Sequence, residues 1–207
     1  MNTPNKLTLA RMIATPIFMA TMLIEFDYHY LVSMVIFIAA SLTDMIDGKM
    51  ARKYNLVTDF GKFMDPLADK MLTTAAYLGF MFVYSATNPN NYGIQITIIT
   101  FIVLFREFMV SSLRLVTAKA GLVVAANIWG KLKTVSQMVG IIAALFFFSV
   151  TVDFGGLVSE LGFIDMAQLK CICDIIIIVL FWISTVLCVI SGLIYLKECK
   201  DYINPSK

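Results

Sequence analysis

Apolar residues run along this chain in long blocks separated by short polar clusters. Six blocks, at about 12–26, 30–50, 65–84, 94–117, 125–150 and 174–196, approach or exceed the ~20 residues that a helix needs to cross a bilayer. The breaks between them are of different kinds. Glu25, Asp27 and His29 close the first block, Lys53 to Asp59 form a short central loop, and Ser85 to Gly93 (SATNPNNYG) make an uncharged turn cluster. A fourth break lies near Lys119–Gly121, and residues 151–173, rich in Gly and acidic side chains, read as the longest loop. The second and third spans, joined by the short central loop, should be antiparallel neighbours. Pro66 suits the first turn of a helix, so the third span should begin near Asp65. Before the first block, Asn5, Thr8 and Leu9 recur at helical intervals, which predicts an interfacial helix over 1–11 that turns into the first span, with a kink at Pro16. These eleven residues are too polar and too lightly charged for a signal peptide. The pattern predicts an all-α integral membrane protein: one domain over 1–207, with six transmembrane helices and an N-terminal interfacial segment.

Composition agrees with the pattern and removes several classes of function. The 207 residues are 59% hydrophobic and 14% charged, with a mean hydropathy of +0.84, too apolar for a soluble domain. A net charge of +2 with no basic run gives no footprint for nucleic acid. Cys171, Cys173, Cys188 and Cys199 lie in the last fifth of the chain without ligand spacing, and His29 is the one histidine. A zinc site or disulfide framework is therefore not indicated, and the cysteines read as small apolar or lipid-facing residues. Of the 16 Lys and Arg residues, all but Lys170 fall on the side shared by the N-terminus, the 51–64 loop, the 118–126 region and the C-terminus, or on span ends adjoining it. Basic residues gather on the cytoplasmic face of membrane proteins, so both termini and the central loop should be cytoplasmic.

The candidate chemistry lies in and around that loop, in the stretch Thr43 to Met71. Asp44 and Asp47 are spaced i, i+3, and Asp65 and Asp69 are spaced i, i+4, so on helices each pair shares one face. A carboxylate within a span costs roughly 2.5–3.5 kcal/mol, and four together cost on the order of 10 kcal/mol unless something positive compensates. An oxygen-only donor set suits a hard cation, Mg²⁺ or Mn²⁺, better than zinc. Gly48 and Gly61 let a bulky polar ligand approach the backbone, Ala51 keeps the same face clear, and Arg52 is placed to meet a phosphate in bidentate fashion.

Written out, the stretch is D-x-x-D-G-x-x-A-R, eight residues, then G-x-x-x-D-x-x-x-D. In this it resembles the CDP-alcohol phosphatidyltransferases, whose signature it matches at all eight fixed positions: Asp44, Asp47, Gly48, Ala51, Arg52, Gly61, Asp65 and Asp69. The resemblance implies a membrane enzyme that displaces CMP from a CDP-linked lipid with two divalent metals, Mg²⁺ or Mn²⁺, held by Asp44, Asp47, Asp65 and Asp69. It implies Asp69 as candidate general base, although a metal ligand has a depressed proton affinity and Asp69 could be a ligand only. Asp47, Gly48, Ala51, Arg52 and Gly61 would seat the CDP moiety, and Asn5, Thr8 and Arg11 would border the cavity. It also implies a homodimer in a bacterial plasma membrane, with the active site at the cytoplasmic boundary.

The acceptor is set elsewhere in the chain. Arg106, Glu107 and Arg114 interrupt the fourth apolar block, and charges at such depth are functional candidates. As sequence neighbours, Arg106 and Glu107 should point in different directions and not simply neutralise each other. The runs R-E-F-M-V-S-S-L-R (Arg106 to Arg114) and G-K-L-K-T (Gly130 to Thr134) resemble the branch of the family that makes phosphatidylglycerophosphate. A phosphorylated acceptor such as glycerol 3-phosphate is a dianion, and Arg106, Arg114, Lys131 and Lys133 could receive it. Lys131 and Lys133 could instead snorkel to lipid headgroups. Other acceptors, namely phosphatidylglycerol, inositol phosphate or serine, keep the same chemistry, and a divalent-cation transporter or scaffold is a reading of another class.

Overall fold

The computed structural model describes residues 2–53, 58–87, 91–119, 128–160 and 165–200, without the side chains of 45–53, 59, 60, 62, 63, 65, 66, 69, 87, 118 and 119. Within these residues the chain forms seven α-helices and no strand. They are α1 (Thr3–Leu23), α2 (His29–Lys53), α3 (Asp59–Thr87), α4 (Tyr92–Lys119), α5 (Ile128–Phe148), α6 (Gly155–Glu160) and α7 (Met166–Cys199). Among the described residues, four helical stretches are long and apolar enough to cross a membrane: Thr3–Leu23, Tyr92–Thr117, Ile128–Asp153 and Met166–Cys199. His29–Asp44 is a shorter apolar helix.

In hydrocarbon there is no hydrophobic force between helices, so close packing and internal hydrogen bonds must hold the bundle together. Its centre is aromatic. Phe80 packs against Phe148 and Phe181 at centroid distances of 5.9 and 5.4 Å, and Tyr77 meets Phe181 at 5.2 Å. Gly140 is the reason α5 can approach α7 there, since a Cβ on it would lie 3.2 Å from the Phe181 ring. Buried hydroxyls of Thr8, Thr15, Ser33, Thr117 and Thr185 donate to the carbonyl one turn back, so they are satisfied within their own helices. Ile13, Ile17, Phe101, Phe105, Phe108 and Leu193 stay on the outside, as lipid-facing positions require.

Several boundaries differ from the sequence reading. The first helix is continuous from Thr3 to Leu23 through Pro16, so no separate segment ends at residue 11. Its buried residues Asn5, Thr8, Arg11, Thr15, Phe18 and Met22 form one stripe, which packs on both α2 and α3. Among the described residues α1 packs broadly on both α2 and α3, while α2 and α3 touch each other only narrowly. The third helix begins at Asp59, not near Asp65, so Pro66 lies inside it. Thr58 accounts for the early start: its Oγ1 accepts from the Gly61 N–H at 3.1 Å, the side-chain cap of a helix N-terminus.

The described part of the fifth helix runs from Ile128, and the expected start near Ala125 lies outside the described residues, among 120–127. The segment 151–173 is largely helical, not a loop: it holds the end of a wide helical turn (Ser149–Asp153), all of α6, and the start of α7 from Met166. The wide turn closes with the Phe154 N–H donating to the Ser149 carbonyl. This brings Asp153 under the N-terminus of α2, where its carboxylate accepts from Leu31 N–H at 2.8 Å. Such an anion satisfies backbone donors that a helix start leaves open. Among the cysteines, Cys171 is exposed and Cys173, Cys188 and Cys199 are buried.

Candidate active site

The motif residues fall on two helical segments. Asp44, Asp47, Gly48, Ala51 and Arg52 lie on α2, and Gly61, Asp65 and Asp69 on α3. The side chains of Asp47, Ala51, Arg52, Asp65 and Asp69, and the surroundings of Gly48, lie outside the described residues. Asp44 is described, and it is held from below by α1. Arg11, 2% exposed, donates from Nη1 to Asp44 Oδ1. The positive charge that a carboxylate at this depth requires therefore comes in part from the first helix.

The rest of the α1 face joins the same region. The Asn5 amide is hydrogen-bonded to Thr58 Oγ1 at 2.9 Å, which ties the helix start to the cap that holds Gly61. Thr8 turns back onto the Pro4 carbonyl. The three residues expected at a cavity rim thus lie on the buried stripe of α1, with Arg11 reaching Asp44 itself.

Beside Asp44 opens a cavity of about 460 Å³. Its wall contains all four cations expected to bind an acceptor phosphate: Arg106 and Arg114 from α4, and Lys131 and Lys133 from α5. These residues lie far apart in sequence, and helix packing brings them together. Arg106 and Lys133 are each 6% exposed, whereas Lys131 and Arg114 are accessible.

The cations are fixed by specific partners. Arg106 donates from Nη2 to Ser191 Oγ at 2.6 Å, and a Cβ on Gly192 would lie only 3.0 Å from its Cγ, so a side chain at 192 would press on the arginine stem. Arg114 donates from Nη2 to Tyr195 Oη at 2.6 Å and lies over the Tyr195 ring at 5.2 Å, a cation–π contact. Contrary to expectation, Arg106 and Glu107 do pair: Arg106 Nη1 donates to Glu107 Oε1 at 3.2 Å. The same oxygen accepts from Lys133 Nζ. The rule that sequence neighbours on a helix diverge fails here because the long Arg106 side chain bends along α7 and returns to its neighbour.

Sequence reasoning singled out Glu107 by its depth and missed Lys70, Ser111, Ser191 and Tyr195; all five are grouped around these cations. Lys70 also lines the cavity and donates to Ser111 Oγ. Its signal was available, since it directly follows Asp69. Ser191 and Tyr195 are unremarkable in an apolar block and carried none. A second cavity, of about 600 Å³ at the opposite ends of α1 and α2, is lined by Glu25, Asp27, His29, Asp153 and Lys170 and holds none of the predicted site residues.

The donor chemistry at the motif fits hard divalent cations: four carboxylates, no thiol and no imidazole, with Asp44 oriented by a buried arginine. Among the described residues, no group of three acidic, imidazole or thiol side chains is close enough to hold a metal, and three of the four motif aspartates lie outside that set.

Comparison with known proteins points the same way. A family profile described as CDP-alcohol phosphatidyltransferase matches residues 1–196. The chain is 43% identical over 156 residues to the CDP-diacylglycerol--glycerol-3-phosphate 3-phosphatidyltransferase of Bacillus subtilis, covering 70% of this chain and 76% of that protein. It is 35% identical over 201 residues to the protein of that name from Rickettsia bellii, with 97% of each covered. Against the one from Salmonella typhimurium it is 35% identical over 158 residues, 75% and 83% covered.

Proposed function

Because this chain belongs to the CDP-alcohol phosphatidyltransferase family, we propose that it transfers the phosphatidyl group of CDP-diacylglycerol to glycerol 3-phosphate, giving phosphatidylglycerophosphate and CMP. The observation that carries the choice of acceptor is the gathering of Arg106, Arg114, Lys131 and Lys133 around one cavity that also reaches Asp44. A phosphate dianion has several cationic donors there, and an uncharged acceptor would leave them without work.

In the reaction, the acceptor hydroxyl oxygen bonds to the phosphorus that carries diacylglycerol, the bond from that phosphorus to the CMP oxygen breaks, and CMP leaves. Asp69 is our candidate to take the hydroxyl proton. Asp47, Gly48, Ala51, Arg52 and Gly61 seat the CDP moiety, with Thr58 and Asn5 fixing the helix start at Gly61. Arg106 and Lys133 hold the acceptor phosphate from below, and Arg114 and Lys131 hold it from the accessible side. Asn5, Thr8 and Arg11 close the floor beneath the motif. Two divalent ions, Mg²⁺ or Mn²⁺, held by Asp44, Asp47, Asp65 and Asp69, would supply charge neutralisation of the diphosphate and of the leaving oxygen.

We further propose a single domain over 1–207 that crosses a bacterial plasma membrane six times, using α1 to α5 and α7. Both termini and the cavity face the cytoplasm, where phosphorylated acceptors are available, and the protein works as a homodimer. The one-sided distribution of Lys and Arg supports this orientation.

The test is CMP release by purified protein from CDP-diacylglycerol with glycerol 3-phosphate, phosphatidylglycerol, inositol phosphate or serine, each with and without Mg²⁺ or Mn²⁺. Release with glycerol 3-phosphate that requires the metal is the expected result. Release with a different acceptor overturns the acceptor assignment, and metal-independent release overturns the aspartate cage.

A further inference from the structure

The acceptor cavity contains a group of the wrong charge. Glu107 lines it among five cations, and a carboxylate repels the dianion that those cations would receive. Its side chain is 14% exposed, and a charge is not placed at that depth without a partner or a purpose. One oxygen, Oε1, accepts from both Lys133 Nζ and Arg106 Nη1. The two cationic heads therefore converge on a single point.

We propose that Glu107 is the positioning residue of the acceptor site: it holds Lys133 and Arg106 side by side as a preformed clamp for the acceptor phosphate. This inference rests on the glycerol 3-phosphate reading above.

Three features support positioning over simple helix docking. First, α4 and α5, which carry the two ends of the Glu107–Lys133 pair, do not pack extensively on each other; each packs on α7, and the pair reaches across the cavity between them. Second, Arg106 is already anchored at its far side by Ser191 Oγ at 2.6 Å and has its stem against Gly192, so Glu107 fixes the remaining direction of its guanidinium. Third, Lys133 is a flexible four-carbon ammonium, and Glu107 is its partner among the described residues. Without the carboxylate, two like charges buried side by side would repel and Lys133 would rotate away. Alignment before the acceptor arrives removes an ordering cost that binding would otherwise carry. Two carboxylates, Glu107 and Asp44, among five cations still leave the cavity net positive.

The experiment measures KM for glycerol 3-phosphate and for CDP-diacylglycerol, with kcat and detergent-solubilised Tm, in wild type, Glu107→Gln, Glu107→Asp and the exchange variant E107K/K133E. Glu107→Gln should raise the acceptor KM by about tenfold or more, with a smaller fall in kcat and the lipid KM within about twofold. Glu107→Asp keeps the charge but withdraws it by one methylene, so it should give a rise of roughly threefold, and it serves if Glu107→Gln does not fold. The exchange variant re-forms the ion pair but removes the ammonium from its place, so it should recover Tm and not the acceptor KM. An acceptor KM within twofold of wild type in the folded variants overturns the proposal. So does an equal rise in both KM values, or recovery of the acceptor KM together with Tm in the exchange variant. Wild type that does not use glycerol 3-phosphate sinks the acceptor reading itself, whereas wild type that uses it with insensitive Glu107 variants sinks only this inference.

Discussion

Buried arginines do much of the organising here, and each depends on a neighbour chosen for size or charge. Arg11 reaches Asp44 from a different helix, and carboxylates that ligate metals are characteristically oriented by such hydrogen bonds. Arg11→Gln should therefore raise the Mg²⁺ concentration for half-maximal activity by about 10–100-fold, with activity largely recovered at excess metal. Titration of turnover against Mg²⁺ checks this, and an unchanged midpoint would show that Arg11 only fills space. Arg106 depends on the absence of a side chain: Gly192→Val would place methyl groups where the Arg106 stem runs. Misplacement of a binding group by about 1 Å can cost on the order of 100-fold. Steady-state kinetics of Gly192→Val should show that loss in kcat/KM for the acceptor, with the lipid KM little changed.

At the scale of helices, the site depends on α1 more than its place at the start of the chain suggests. The periodic run of Asn5, Thr8 and Arg11 was legible as a polar face, and its amphipathic character pointed to the interface. Packing instead turns this face inward, because α2 and α3 leave a slot whose polar rim, Thr58 and Asp44, matches it. The start of α3 was misread for a related reason. Pro66 marks a favourable first turn, but the Thr58 hydroxyl provides a cap and allows the helix to begin earlier. Thr58→Ala should cost about 1 kcal/mol of stability, the typical value for a lost N-cap. It should also raise the KM for CDP-diacylglycerol more than that for the acceptor, since the helix start carries Gly61. Thermal unfolding in detergent and the two KM values together would show it, and a change confined to the acceptor would contradict the CDP seat.

On the scale of the whole molecule, the cavity lies at one end of the bundle and the Glu25–Asp27 connection at the other. The proposed orientation makes these ends cytoplasmic and external. In a chain with its four cysteines replaced by serine, Lys6→Cys and Lys197→Cys should resist a membrane-impermeant maleimide added to intact cells, while Asp27→Cys and Lys170→Cys should react. The reverse pattern would place the active site outside and overturn the positive-inside assignment.

The linear order of residues was enough to establish the helical class, the apolar blocks, the spacing of the aspartates along their helices and the identity of four cations in the cavity. Those properties are periodic or local: 3.6 residues per turn fixes which side chains share a face, and burying charge in an apolar block is costly wherever it occurs. Only the folded bundle decided that α1 lies between α2 and α3, that Arg11 meets Asp44, and that Arg106, Glu107 and Lys133 converge on one oxygen. Relations between helices depend on which surfaces fit, on a missing side chain at Gly192 and on the bend of a long arginine, and none of these has a period that can be read along the chain.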